Sequence, residues 1–309
     1  MTTTTPAYSI IVPVHNSSAH IAPLLDSIPR RDDVEVILVD DRSTPEEAAE
    51  TWALAQSRAF PHLVTLTNVR TPGPGGARNT ALEAARGRWI VFADSDDAFT
   101  DQFGPALDRY AAADTDLVVF RPKTTPGGVR TTAMEVLFDA GDLDIYTARH
   151  QELWARFVRR ELIALHGLRL NEDCLVMDDV LFSLDAVKWA RSAVQDANAI
   201  YQVSERVGSL TARLLSVEEL LQIARVRVAQ AAFLRDWLPA DRLPEALPTC
   251  GQLLLKSLVW HGPKAVAAIA KELRGHQVPL TRHANPLTWL GKAAKVVRTA
   301  PAVRRGGSR

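Results

Sequence analysis

The stretch Val91-Phe92-Ala93-Asp94-Ser95-Asp96-Asp97 decides how the chain is read. The apolar run from Trp89 to Ala93 has the length and composition of a short buried strand. It stops abruptly in three carboxylates within four residues. In an open α/β sheet, ligands lie beyond the carboxyl ends of the strands, so these acids stand where chemistry is expected. Carboxylates this close repel one another and are costly to hold ionised together without a cation. Hard divalent cations take oxygen ligands, and magnesium in particular is held by one or two carboxylates plus substrate phosphates. The first reading is a metal site for a phosphorylated ligand. A solvated acidic turn is the plain alternative, and the motif alone leaves both open.

The flanking sequence supplies the sheet. Residues 9–14 (Ser-Ile-Ile-Val-Pro-Val) form a β-branched strand, followed by His15-Asn16-Ser17-Ser18 as capping side chains and a helix carrying Ile21, Leu24, Leu25 and Ile28 on one face. Residues 34–39 predict a second apolar strand, and it too ends in acids, Asp40-Asp41. Thr44-Pro45-Glu46-Glu47 is a capping box with proline at the first helical position, opening a helix to about residue 59. A third strand at 63–67 precedes the loop Thr71-Pro72-Gly73-Pro74-Gly75-Gly76, a helix over 77–86 and then the acid-tipped strand, with a fifth strand at 117–120. This alternation predicts an α/β fold built on a doubly wound, mostly parallel sheet.

Beyond it the pattern weakens over 122–149, where loops around short elements are expected. From residue 151 the chain reads as helical: 152–165, 179–190, a long helix from the Ser216–Glu219 capping box to about residue 237, then 248–259 and 263–274. Asn285-Pro286 opens a last helix with Leu287, Leu290, Ala294 and Val297 on one face and Lys292, Lys295 and Arg298 largely off it.

At 309 residues and 47% hydrophobic, the chain can bury a full core. Lys+Arg and Asp+Glu both total 36, so no global field points to nucleic acid. The balance hides a basic end, because no acid follows Glu272. Cys174 and Cys250 belong to no metal-spaced pattern, which favours ordinary thiols in a reducing compartment. No signal pattern or bilayer-length apolar run is present, so the expectation is a cytoplasmic protein. The basic terminal helix adds peripheral contact with the inner face of an anionic membrane as a second expectation, against an ordinary packed helix. The histidines form no i, i+4 pair, and neither a Gly-x-Ser-x-Gly elbow nor a Gly-x-x-x-x-Gly-Lys loop occurs.

Four stretches together resemble the nucleotide-binding half of family 2 glycosyltransferases, enzymes of the GT-A fold. They are Ser-Ile-Ile-Val-Pro-Val-His-Asn (9–16), Val-Ile-Leu-Val-Asp-Asp-Arg-Ser-Thr (36–44), Gly-Gly-Ala-Arg-Asn-Thr-Ala-Leu (75–82) and Gly-Arg-Trp-Ile-Val-Phe-Ala-Asp-Ser-Asp-Asp (87–97). The resemblance implies transfer of a sugar, with inversion, from a nucleotide-diphosphate sugar (a UDP-sugar foremost) to a glycan or lipid-linked acceptor, in cell-surface or secreted glycan synthesis. It implies a divalent cation, Mn²⁺ or Mg²⁺, and makes Asp94-Ser95-Asp96 the DxD motif. Asp96, with Asp97, would ligate the metal, and Asp94 would sit near the ribose. Asp41 matches the acid that accepts from the base ring, with Asp40 beside it. Pro13, Asn16, Gly76, Arg78 and Ser95 complete the donor-side set.

In the second half, Asp178-Asp179 resembles the family's Glu-Asp motif, with aspartate where glutamate is usual at the first position. Asp179 then matches the general base and Asp178 an acceptor-side position. Helix capping is the structural alternative for both. Trp154-Ala155-Arg156-Phe157-Val158-Arg159-Arg160 resembles the segment that precedes the acceptor site, implying acceptor-side roles for Trp154 and Arg156. Residues 201–211 resemble a segment whose arginine, here Arg206, reaches the diphosphate. The implied organisation is a flexible N-terminus (1–7), a GT-A domain at 8–212 with a nucleotide half (8–121) and an acceptor half (122–212), and a helical region at 213–309.

Two other classes compete. A receiver-like signalling module would use Val39-Asp40-Asp41, Asp94 and Lys123, but its acid pair follows the first strand and it needs only one phosphoacceptor. A nucleotidyltransferase on a related sheet would carry a basic glycine-rich loop where this chain has Pro13-Val14-His15-Asn16.

Overall fold

The computed structural model describes residues 5–123, 129–204 and 213–281. The chain divides into two compact units, Met1–Glu172 with Leu181–Glu205, and Asp173–Val180 with Arg206–Arg309.

In the first unit the strands are β1 (Tyr8–Val14), β2 (Val34–Asp40), β3 (His62–Thr67), β4 (Trp89–Phe92), β5 (Ala98–Phe99), β6 (Leu117–Phe120), β7 (Arg156–Arg159), β8 (Ala193–Asp196) and β9 (Tyr201–Gln202). Among the described residues seven of them form one sheet in the order β3-β2-β1-β4-β7-β6-β8, and β5 pairs with β9. The pairings β3–β2, β2–β1, β1–β4 and β6–β8 are parallel; β7 alone runs against its neighbours β4 and β6. The helices are α1 (Ala22–Ser27), α2 (Pro45–Gln56), α3 (Pro74–Ala84), α4 (Phe103–Tyr110), α5 (Val129–Asp139), α6 (Leu143–Arg149), α7 (Arg160–His166) and α8 (Val180–Trp189), the last entering this unit from Leu181.

Strand alternation covers both faces of the sheet. Tyr8, Ile10, Val12 and Val14 of β1 pack with Val36 and Leu38 of β2 against Leu24 and Leu25 of α1 and Phe103 and Leu107 of α4. The other face takes α3, which lies along β1, β2 and β3, and Phe182 of α8, set edge-on to Phe92 at 5.5 Å. A sheet buried on both faces needs near-continuous apolar strands, which is how β2 and β4 read.

Three expectations are corrected. Residues 152–165 are not one helix: β7 occupies 156–159, and α7 begins only at Arg160. The strand is buried at all four positions although two are arginines, because Arg159 satisfies its guanidinium on the Thr115 carbonyl (2.7 and 2.9 Å) and lies 4.8 Å over the Trp89 ring. Buried arginines in a short strand imitate a polar helical face. Residues beyond 151 are likewise not all helical, since β8 and β9 follow. The stretch 122–149 contains α5 and α6, the second capped by the Asp142 carboxylate on the Ile145 amide at 3.1 Å.

The second unit holds α9 (Val217–Trp237), α10 (Leu243–Ala246), α11 (Gly251–His261) and α12 (Pro263–Leu273). Ser216 and Glu219 form the reciprocal capping box read from the sequence. Leu220 and Ala224 of α9, Leu253 of α11 and Ile269 of α12 make its core. The basic terminal helix lies outside the described residues. Among those described, no helix is long and apolar enough to cross a membrane.

At the end of the sheet opposite the acids, Glu35 is wholly buried. Its carboxylate accepts from the Ser9 hydroxyl (2.5 Å), the Arg86 amide (2.6 Å) and the Gly87 amide (3.2 Å), tying β1, β2 and the entry to β4 together. Glu35→Ala strands those donors and is expected to lower the unfolding free energy by about 3 kcal/mol, measured by urea denaturation.

Candidate functional site

Because β2, β1 and β4 are parallel neighbours, their carboxyl ends meet at one edge. The acids of β2 and β4 therefore flank the tip of β1, and each is held differently.

After β4 the chain turns, with the Asp97 amide donating to the Asp94 carbonyl at 3.2 Å. Asp94 is paired through Oδ1 with the nearly enclosed Arg78 guanidinium of α3 at 2.5 Å. Ser95 Oγ lies 3.1 Å from Ser17 Oγ, joining this turn to the loop after β1. Asp97 is buried, and its two oxygens accept from the Tyr201 hydroxyl (2.9 Å) and the Ser204 amide (2.7 Å). Burial, reinforced by the charge on Asp94, pushes the Asp97 carboxyl up to about 7. The Tyr201 hydroxyl also accepts from the Asp94 amide at 2.8 Å. Burial holds that phenol well above its ordinary range, so it stays protonated and donates to Asp97. Of the acidic run, Asp94 and Asp96 remain half-open.

At the tip of β2, the Asp41 amide donates to the Val14 carbonyl at 2.8 Å. Its carboxylate accepts from Asn68 Nδ2 (2.6 Å), from Arg42 (3.1 Å) and from the Gly73 amide (2.7 Å). Asp41 thus fastens the glycine-rich loop to the edge. Asp40 is buried and accepts from the Ser43 amide at 3.3 Å. Asn16, at φ 47°, accepts from the Thr44 amide at 3.0 Å and gives its own amide to Ser43 Oγ at 2.9 Å, a left-handed conformation that asparagine tolerates. Pro13 lies half-buried in β1, and the His15 ring meets the Asp41 carbonyl at 2.8 Å.

The glycine loop differs from its sequence reading, because α3 starts at Pro74 and takes Gly75 and Gly76 into its first turn. A Cβ on Gly76 would meet the Thr71 carbonyl oxygen at 2.0 Å, so this position requires glycine for close backbone approach. The helix N-terminus so formed presents backbone amides at the edge, a setting suited to an anion.

Two residues without an assigned role hold this loop. Asn68 donates to Asp41 and to the Thr71 carbonyl (2.9 Å) while accepting from the Arg70 amide (2.9 Å). Glu172 accepts from Arg70 Nε (2.5 Å), Asn79 Nδ2 (2.8 Å) and the Thr71 amide (3.4 Å). Partial burial pushes the Glu172 carboxyl up, but the bonds from Arg70, Asn79 and Thr71 outweigh it and hold the pKa at about 2. Nothing in the local pattern announces Asn68, Glu172 or Tyr201; each acts through a contact distant in sequence.

The acceptor-side residues separate. Trp154 is half-buried and stacks on Tyr201 (centroids 5.6 Å apart, planes 11° apart), which brings it beside the acid turn. Arg156 is buried in β7 and donates to the His150 carbonyl at 2.8 Å, so it serves the interior of that unit. Asp178 and Asp179 belong to the second unit, directly before α8, with Asp178 buried and Asp179 half-buried. Arg206 lies outside the described residues.

Among the described residues no group of three or more His, Cys, Asp or Glu side chains is arranged to hold a metal by itself. The donor chemistry fits a hard ion that takes one or two carboxylates and completes its shell with phosphate oxygens.

With this geometry in place, residues 9–161 match the family model "Glycosyl transferase family 2". The chain belongs to this family. The receiver-like and nucleotidyltransferase readings fall away. This family 2 chain is 28% identical over 236 residues to the poly(ribitol-phosphate) beta-N-acetylglucosaminyltransferase TarS of Staphylococcus aureus, an alignment covering 71% of the chain and 39% of TarS. It is 27% identical over 224 residues to EpsH of Bacillus subtilis, covering 68% of the chain and 64% of EpsH. The matches thus span less than two thirds of these relatives. In fold, it resembles TarS residues 1–349 in complex with UDP-GlcNAc (TM-score 0.64, 20% identity, 97% of this chain and 92% of that one). It also resembles the mannosyltransferase PcManGT of Pyrobaculum calidifontis in complex with GDP-Man and Mn²⁺ (TM-score 0.58, 19% identity, 99% and 89%). The fold is GT-A.

The low pKa of Glu172 makes the loop a pH-dependent contributor to stability. Its contribution is full above the unfolded value of 4.5 and is lost as pH falls through about 2. The stability gap between wild type and Glu172→Gln is therefore expected to be constant above pH 4.5, to shrink below it and to vanish near pH 2, followed by thermal melts across that range.

Proposed function

We propose that this family 2 protein is an inverting glycosyltransferase. It moves a sugar from a nucleotide-diphosphate sugar to an acceptor hydroxyl, with a divalent cation, in the synthesis of cell-surface or secreted glycans. The observation that carries the reading is the edge where Asp94, at the tip of β4, is paired with Arg78 of α3 while Asp41, at the tip of β2, fastens the glycine loop that opens the same helix. Support for the substrate class comes from TarS, whose structure holds UDP-GlcNAc, and from PcManGT, whose structure holds GDP-Man and Mn²⁺. Support for the glycan class comes from TarS itself and from the succinoglycan biosynthesis protein ExoO of Rhizobium meliloti, 36% identical over 117 residues.

Breaking the bond between sugar and diphosphate builds negative charge on the leaving group. When bound, a divalent cation supplies Lewis-acid stabilisation of that charge, and Asp96 would hold it, with Asp94 in place of Asp97 as the second carboxylate because both Asp97 oxygens are already bonded to Tyr201 and Ser204. Arg78 keeps the Asp94 carboxylate fixed from inside the fold. The amides of the first turn of α3 add fixed partial positive charge for the phosphates. On the acceptor side, Asp179 takes the hydroxyl proton, so that the acceptor oxygen attacks the anomeric carbon opposite the departing diphosphate. One displacement of that kind inverts the configuration. This role for Asp179 rests on the Asp178-Asp179 motif and on its place immediately before α8.

The first test is a thermal-shift panel of nucleoside diphosphates with and without Mn²⁺. Wild type is expected to show a cation-dependent rise in midpoint with one nucleotide, and Asp96→Ala to lose it. No shift with any nucleotide at millimolar concentration overturns the reading. With the donor base known, Asp179→Asn is expected to keep the nucleotide shift and to lower kcat by about 10³-fold, followed by release of the nucleoside diphosphate. Unchanged turnover removes Asp179 from the mechanism.

A further inference from the structure

The last acid of the run has a place that the donor-site reading does not use. Asp97 is buried, with one oxygen on the Tyr201 hydroxyl and the other on the Ser204 amide. The same hydroxyl accepts from the backbone amide of Asp94. A single phenol oxygen thus joins the first and last acids of the turn. It reaches Asp94 through the main chain, so it fixes where the Asp94 and Asp96 side chains start without contacting either.

The ring beneath that hydroxyl is itself immobilised. Tyr201 is fully buried, meets Phe99 edge-on at 5.3 Å and carries Trp154 stacked on it. Phe99 in turn stacks on Phe103 of α4 with centroids 3.7 Å apart. Pairing of β5 with β9, extended by the Thr100 amide on the Ile200 carbonyl at 2.9 Å, sets the height of Tyr201. An aromatic column therefore runs from the core to the acid turn and ends in a hydroxyl. A buried, fully bonded oxygen of this kind is a rigid reference point.

We infer that Tyr201 and Asp97 are positioning residues for the donor site: they hold the Asp94–Asp96 turn in the geometry that binds cation and diphosphate, with Asp97 acting as an internal anchor and not as a ligand. The inference rests on the transferase reading of the same site. It differs from a purely structural role in one measurable respect, because a structural bond affects melting temperature while a positioning bond also affects ligand affinity in protein that remains folded.

A built-in comparison exists. Tyr110 is another buried tyrosine whose hydroxyl bonds a buried carboxylate, Asp196, at 2.9 Å, on the side of β6 and β8. The experiment measures the Mn²⁺ concentration that half-saturates nucleoside-diphosphate binding, by calorimetry well below each melting midpoint, for wild type, Tyr201→Phe, Asp97→Asn and Tyr110→Phe. Tyr201→Phe removes only the hydroxyl and is expected to raise that concentration about tenfold. Asp97→Asn keeps the size of the anchor and an acceptor for Ser204, and is expected to give a smaller rise in the same direction. Tyr110→Phe is expected to melt earlier with unchanged half-saturation.

Equal half-saturation in wild type and Tyr201→Phe overturns the positioning role while leaving the transferase reading intact. So does an equal loss in Tyr201→Phe and Tyr110→Phe. Failure of wild type to bind any nucleoside diphosphate overturns both together.

Discussion

The constraint on which this structure depends is the gathering of like charge at one edge of a parallel sheet. With β2, β1 and β4 side by side and running the same way, Asp40, Asp41, Asp94, Asp96 and Asp97 converge. Left alone, such a group would raise its own pKa values or splay apart. The fold deals with the acids one at a time. Asp41 is surrounded by amide donors and an arginine, Asp94 by the guanidinium of Arg78, and Asp97 by burial and a phenol. Glu172, arriving from further along the chain, is matched by Arg70 and Asn79.

A division of labour follows from these differences. Carboxylates whose oxygens are taken up by amides act on the backbone: Asp41 fixes the start of α3 through Gly73, and Asp97 fixes the turn through Tyr201. Those left half-open, Asp94 and Asp96, are the two that the proposed donor site uses. The opposite end of the sheet shows the same economy of means with a different result. There Glu35 is fully enclosed by Ser9, Arg86 and Gly87, and its carboxylate is a structural tie with no route to solvent. Position along the strand, and not residue type, separates the two uses.

Much of the first half was legible because its signals are local. Apolar runs ending in acids, a helix N-cap at Thr44 and a glycine turn before a helix each declare themselves within a few residues, and the parallel sheet follows from their alternation. The failures cluster where a distant partner overrides the local pattern. Arg156 and Arg159 make 156–159 look polar and helical, yet the carbonyls of His150 and Thr115 let both arginines sit in a buried strand between β4 and β6. Asn68, Glu172 and Tyr201 escaped notice for the same reason. Their partners Asp41, Arg70 and Asp97 lie 27, 102 and 104 residues away along the chain. The family resemblance implies Asp97 as a second metal ligand beside Asp96; in the fold both of its oxygens are engaged, by the Tyr201 hydroxyl and the Ser204 amide.

A shared fold leaves donor selectivity open. TarS and PcManGT share this fold, yet one structure holds a uridine nucleotide and the other a guanosine nucleotide. A backbone common to both does not choose the base, so the choice belongs to side chains laid over it. In this chain the Asp40–Asp41 tip is bordered by His15, whose ring meets the Asp41 carbonyl, by Asn16, held in a left-handed turn by Thr44, by Arg42, paired with Asp41 itself, and by Asn68, bonded to the same carboxylate. Each is fixed through bonds to main chain or to Asp41, so the fold sets their places as firmly as it sets those of the acids.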